Sequence, residues 1–135
     1  MLGKNCLLTG ATSGIGQAAA IALAKEGYRL FLVARNQTKA SATEKLIRLK
    51  AKSAEVHWLM GDLASLDDVR NIAENFLSFD CKLDLLFLNA GVTYNARTCS
   101  KDGYEIMFAV NHLSHFMLTH PVSYTHLTLP TNREV

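Results

Sequence analysis

Residues 9–16 read T-G-A-T-S-G-I-G and follow directly on a short apolar run, residues 5–9, NCLLT. Gly10, Gly14 and Gly16 are spaced for one task. Gly10 permits a sharp exit from a strand, Gly14 lets backbone come close to a ligand, and Gly16 lets the following helix pack tightly on the sheet. A helix starting here would turn unpaired N–H groups and the positive end of its dipole toward a pyrophosphate. Thr12 and Ser13 add hydroxyl donors, and Ile15 sits between the last two glycines. That pattern suits a dinucleotide. The plainer alternative is a strand–helix turn that binds nothing. No Gly-Lys-Ser/Thr follows, which argues against a nucleotide triphosphatase.

A second group of residues bears on which dinucleotide. A carboxylate after the second strand would bond a ribose 2′-hydroxyl and repel a 2′-phosphate; here the chain has Ala34, Arg35 and Asn36. Arg35 can pair a 2′-phosphate and Asn36 can hydrogen-bond it, which favours NADP(H) over NAD(H). The competing reading of Arg35 is a solvated loop arginine. Asp62 and Leu63 follow the third apolar run, where the Asp62 carboxylate could accept from an adenine amino group; an approach to a helix also favours Asp.

These residues need a frame. The run 5–9 reads as a buried strand, and QAAAIALAKEG (17–27) as a helix closed by Gly27. RLFLVA (29–34) is a second buried strand. Residues 38–52 read as a helix with Ala42, Leu46 and Leu49 on one face. EVHWLM (55–60) alternates, with Val56, Trp58 and Met60 opposite Glu55 and His57, as suits a strand near a sheet edge. Ser65 and Asp68 have the spacing of a capping box before a helix bearing Leu66, Val69, Ala73, Phe76 and Leu77. LDLLFLNAG (83–91) is nearly unbroken apolar strand, and residues 102–120 carry Ile106, Val110, Leu113 and Met117 at helical spacing. Strands alternating with helices imply an α/β fold with a parallel sheet.

Composition narrows the function. At 135 residues there is room for one domain, with 49% hydrophobic residues and a net charge of +2. The basic residues are scattered, so nothing points to nucleic acid. No stretch approaches the ~18 apolar residues of a membrane span. Cys6, Cys81 and Cys99 have no metal or redox spacing and read as reduced thiols in a cytosol-like compartment. An anchor upstream would place the chain on the cytosolic face of a membrane. His112 and His115 stand three apart with no carboxylate or cysteine at ligand spacing, so no metal site is expected and helix-face packing or hydrogen bonding is.

Taken in order, T-G-A-T-S-G-I-G (9–16), Asp62-Leu63, N-A-G (89–91) and Asn111 within VNHLSHFMLT (110–119) resemble the short-chain dehydrogenase/reductase family. The match runs from about residue 3 to 120, and residues 101–120 are similar to the branch holding retinol dehydrogenases and WW-domain oxidoreductases. The resemblance implies a Rossmann-type doubly wound sheet, incomplete here after the fourth strand and its helix, with strand order 3-2-1-4. It implies an NADP(H) coenzyme, a small-molecule alcohol or carbonyl substrate, and compatibility with a homo-oligomer. Asn89, Ala90 and Gly91 would support the sheet and line the coenzyme's ribose side. Asn111 would be one of a catalytic Asn-Ser-Tyr-Lys set, holding a water in the proton relay. A dinucleotide-binding protein without catalysis, on the same fold, is the alternative.

In the family the Ser and the Tyr-x-x-x-Lys lie beyond the Asn helix. Ser123 and Tyr124 do not supply them, because Thr128 stands four residues after Tyr124 and the two side chains adjoin. VSYTHLTLPT (122–131) resembles the in-frame translation of a sequencing-library adapter, so residues 1–120 are expected to be the incomplete coenzyme-binding domain and 121–135 a non-native tail. Pro121 is expected to disfavour helix through it. On this reading the 135-residue chain exposes its fourth strand, is poorly soluble or molten, and shows no turnover.

Overall fold

A computed structural model describes residues 3–125, with side chains through 123. Four strands, β1 (Asn5–Thr9), β2 (Arg29–Ala34), β3 (Val56–Met60) and β4 (Leu85–Leu88), form one parallel sheet in the order β3-β2-β1-β4. Helices α1 (Gly14–Lys25), α2 (Gln37–Lys50) and α3 (Leu66–Leu77) connect them. Beyond β4 come a short helix α4 (Ile106–Phe108), a π-helical turn (Ala109–Leu113) and α5 (Ser114–Thr125). This is the Rossmann-type α/β arrangement, with β3 at one edge as its alternating pattern suggests.

Strand period two divides the core. Cys6, Leu8, Leu30 and Leu32 pack with Ala20, Ala24 and Ile47 of α1 and α2. Leu7, Phe31, Val33 and Leu59 pack on the other face with Val69, Ile72 and Phe76 of α3 and Leu118 and Val122 of α5. Phe31 anchors that second layer: the rings of Phe76 and Phe79 meet it edge-on at 4.9 Å, and His57 stacks on it at 5.2 Å. Each such ring pair adds about 0.5–1.5 kcal/mol beyond the area it buries.

Several boundaries and faces differ from the sequence expectation. Helix α1 begins at Gly14, not residue 17, so Gly14 and Gly16 lie in its first turn; Gly27, at φ +90°, ends it as expected. On α2 the buried residues are Ala40, Thr43 and Ile47, while Leu46 and Leu49 are exposed. The polar Thr43 turns inward because its hydroxyl accepts from Gln17 Nε2 of α1 at 3.1 Å, and a 3.6-residue apolar count does not register such a bond. The fourth strand ends at Leu88, because the N–H groups of Asn89 and Ala90 turn to the Thr9 hydroxyl instead of the ladder. Ser65 caps α3 as expected, accepting from Asp68 N at 3.3 Å, but the Asp68 carboxylate reaches back to Asp62 N at 2.8 Å.

The single helix expected over 102–120 is three pieces. A π turn inserts one extra residue, which rotates everything after it by about 100°. Ile106 and Val110 keep their inward place, but the face downstream moves from Met117 to Leu118 and Val122, both fully buried. Helix also continues through Pro121. The ring forfeits one backbone bond there, and buried Leu118 and Val122 on either side hold the segment on α3. Within the C-terminal stretch set apart in the sequence, residues 126–135 lie outside the described residues.

At the β1–α1 junction the chain passes itself at backbone contact. A Cβ on Gly16 would overlap the Gly10 carbonyl oxygen and stand 2.5 Å from Asn89 Nδ2. One on Gly10, itself at φ +75°, would stand 2.8 Å from Ala90 Cα. Gly16→Ala is therefore expected to lower stability by about 1–3 kcal/mol, the usual cost of overpacking, measurable as a lower urea midpoint. An unchanged midpoint would show that the junction is looser than this. The thiols sort by the same packing. Cys6 is fully buried and its pKa is pushed up to about 12, whereas Cys99 is exposed. A thiol reagent at pH 8 should label Cys99 first and Cys6 only on unfolding, as a mass-spectrometric time course would read.

Candidate coenzyme-binding site

The strand order reverses direction at β1: the chain runs outward through β2 and β3, then returns to place β4 on the other side. Crevices at such a switch point, at the carboxyl ends of the strands, are where open α/β sheets bind ligands. Here the crevice holds the glycine turn on one side and residues 89–91 on the other. Asn89 Nδ2 donates to the Gly10 carbonyl at 3.2 Å, and the Thr9 hydroxyl accepts from Asn89 N at 3.1 Å and Ala90 N at 3.0 Å. Asn89 and Ala90 thus brace the glycine turn.

The outer side of that turn is open. Ser13 is the N-cap residue of α1 in extended conformation, and its hydroxyl makes no capping bond. The helical ladder starts with Gln17 N donating to Ser13 O at 3.2 Å, so the N–H groups of Gly14, Ile15 and Gly16 precede it. Gly14, at φ +55°, has nothing within 4 Å of where a Cβ would stand, and Ser13 and Ile15 are exposed. No acidic residue lies in the first turn of α1 to compete for its positive end. Thr12 is half-buried at the base. These features fit the diphosphate of a dinucleotide: N–H donors, a hydroxyl, and room at Gly14 for close approach.

Arg35 and Asp62 meet at the same end of the sheet. Gly61 N donates to the Ala34 carbonyl at 2.9 Å, which brings the ends of β2 and β3 together. Arg35 Nη1 then lies 3.9 Å from Asp62 Oδ2, with both side chains substantially exposed. Such a pair contributes little stability, so each partner can exchange the other for a ligand at small cost. The Asp62 Oδ1 atom accepts from Ala64 N at 2.9 Å, which leaves Oδ2 facing Arg35. Asn36 differs from expectation. Its Oδ1 caps α2 by accepting from Lys39 N at 2.9 Å, so the side-chain amide Nδ2 is what it can offer a phosphate. Leu63 is buried in the core beneath α3, so its side chain is not presented to a ligand.

Asn111 occupies the middle of the π turn. Its Oδ1 accepts from Val92 N at 2.8 Å and its Nδ2 donates to the Val92 carbonyl at 3.0 Å. This two-bond clasp ties the π turn to the strand-end turn, where Gly91 stands beside Asn111: a Cβ there would lie 3.5 Å from Oδ1. Glu105 starts α4 by accepting from Met107 N and Phe108 N, bonds that hold its carboxyl below the ordinary glutamate range. The structure therefore gathers the glycine turn, residues 89–91 and Asn111 into one crevice, with Arg35 and Asp62 across the ends of β2 and β3. The sequence reading gave Thr9 no role of its own and His115 no named partner. Thr9 is fully buried, and its hydroxyl lies 2.9 Å from His115 Nε2. A threonine ending an apolar strand was the one available signal. Among the described residues no group of three or more His, Cys, Asp or Glu could hold a metal, and no helix is long and apolar enough to cross a membrane.

Comparison with known proteins agrees with this geometry. The family model described as short chain dehydrogenase matches residues 4–128. Human retinol dehydrogenase 13 is 38% identical over 117 residues, covering 87% of this chain and 35% of its own length. An uncharacterized oxidoreductase of Schizosaccharomyces pombe is 35% identical over 133 residues, 98% of this chain and 38% of its own. The chain thus spans little more than a third of these relatives. L-sorbose reductase from Gluconobacter frateurii, solved with NADPH and L-sorbose, superposes with a TM-score of 0.79 at 25% identity, over 93% of this chain and 48% of that one. A metagenomic short-chain oxidoreductase in complex with NADP gives 0.80 at 29% identity, over 93% and 57%. With a strand-order switch, an open glycine turn and a family match over nearly all its length, this chain belongs to the short-chain dehydrogenase family.

Proposed function

We propose that this chain is the coenzyme-binding portion of an NADP(H)-dependent oxidoreductase acting on a small alcohol or carbonyl compound, of retinoid, steroid or other lipid-like type. The observation that carries the reading is the amino end of α1: N–H groups ahead of the helical ladder, an uncommitted Ser13 hydroxyl and open space at Gly14. When bound there, the nicotinamide coenzyme supplies or takes up a hydride. This chain's residues bind and orient. Gly14, Ile15 and Gly16 offer N–H groups to the diphosphate, with Ser13 and Thr12 beside them. Asn89, Ala90 and Gly91 line the ribose side, with Asn89 locked to Gly10. Asn111, its amide committed to Val92, retains its place at the π turn, where its role is to order a water for proton transfer.

The choice of NADP(H) rests on Arg35. The carboxylate within reach of its guanidinium is Asp62 at 3.9 Å, and both are exposed, so a 2′-phosphate can take the place of that weak partner. The NADPH- and NADP-bound neighbours support this reading. Fluorescence titration of the full-length protein with NADPH and NADH tests it. Tighter binding of NADPH is expected, and Arg35→Asp should weaken NADPH by roughly ten- to a hundredfold, the worth of a lost charge-assisted contact, while sparing NADH. An unchanged preference would remove Arg35 from the account, and failure of both coenzymes to bind would remove the function.

A further inference from the structure

Thr9 and His115 are separated by 106 positions and meet in the core. The Thr9 oxygen accepts two N–H bonds, from Asn89 and Ala90, which uses both lone pairs of the hydroxyl. Its own proton must then go outward as a donor, and His115 Nε2 lies 2.9 Å away. A donor requires an acceptor, so Nε2 carries no proton. The imidazole is neutral with its single proton on Nδ1, and the polar Asn111 backbone acts on the ring from one turn earlier. His115 is buried, at 8% exposure.

We propose that His115 is a positioning residue: as the neutral Nδ1–H tautomer it locks the end of β1 and the turn at residues 89–91 to the π turn, and so sets where Asn111 stands relative to the coenzyme turn. His115 stands in the first turn of α5, directly after the π turn, and the Asn111 side chain holds Val92 independently. Three points around the crevice therefore become one unit. The effect on coenzyme binding rests on the functional reading above; the tautomer and the link do not.

The groups facing the ring make it sensitive to acid. Thr9 approaches from β1, itself bonded to the backbone of uncharged Asn89 and Ala90, and apolar Val69, Ile72, Ala73 and Phe76 are the buried residues of α3, which packs on α5. From the π turn His112 acts on it. Burial above all holds the pKa of His115 below the ordinary histidine value; the Asn111 backbone opposes this and His112 adds to it. The depressed value fixes the sign. Stability from the neutral link is fully present above the unfolded pKa of about 6.5 and is lost as pH falls through the folded-state value. Protonation would aim a second donor at a Thr9 oxygen that already holds two.

Nitrogen-15 imidazole spectroscopy on the full-length protein, labelled at histidine, tests the link without any substitution. The His115 ring is expected as the Nδ1–H tautomer at pH 7.5, with a titration midpoint below 6.5. An Nε2–H tautomer, or a midpoint at or above that value, would overturn the proposal. His115→Gln and Thr9→Val then test positioning. Each should raise the coenzyme Kd roughly tenfold, as loss of a buried hydrogen bond would, and the double variant should be no worse than the poorer single one. In the unaltered protein the Kd should rise as pH falls below about 6.5, and in His115→Gln this rise should vanish. Folded variants with unaltered Kd and unaltered pH profile would refute the positioning role. Unaltered protein that binds neither coenzyme would refute the functional reading, and the imidazole spectrum would still decide the link.

Discussion

Everything at the carboxyl end of the sheet depends on backbone meeting backbone where β1 gives way to α1. Gly10 lies against Ala90, and Gly16 lies against Gly10 and Asn89. No side chain fits between them. That closeness lets α1 start directly above the sheet with its amino end toward the crevice, and it brings the turn at residues 89–91 within hydrogen-bond reach. The glycines are thus chosen by what passes beside them. Gly14 is the exception: it abuts nothing, and its positive φ and clear outer side are what a ligand would use.

From that contact the site assembles outward in layers. Thr9 ties the turn to β1, Asn89 ties it to Gly10, and Asn111 ties it to the π turn through Val92. The charged residues lie farther out, on loops where water screens them. Arg35 and Asp62 are held apart from the rigid centre and loosely paired. This division matches the work proposed for each part. Pyrophosphate recognition needs fixed N–H groups, which only a braced helix start provides. Recognition of a single peripheral phosphate needs a cation that can leave one partner for another.

The strands and their parallel order were legible in the sequence because each is a short apolar run between turns, and the glycine turn was legible because its spacing encodes a backbone shape. The helix faces were less so. Thr43 is buried because Gln17 on another helix satisfies it, and Leu49 is exposed because α2 has no layer above it among the described residues. Neither fact is local. The π turn was hidden for a related reason: one inserted residue leaves the composition unchanged and shifts the phase, so the periodicity that fits Ile106 and Val110 fails at Leu118. Asn36 was assigned to a ligand when its first duty is to cap a helix, and His115 was expected to pack or hydrogen-bond on a helix face with no partner named, when it is half of a bond closed across 106 positions. Residues whose partners lie far along the chain are those that pattern reading places least well.

The most direct test concerns the N–H groups at the start of α1. Hydrogen–deuterium exchange of the full-length protein, followed on peptides covering residues 9–17, reads whether a ligand takes them. Slower exchange in that segment on adding NADPH, larger than at the distant edge strand β3, is the result this account requires. Tight NADPH binding that leaves exchange across residues 9–17 unaltered would contradict it.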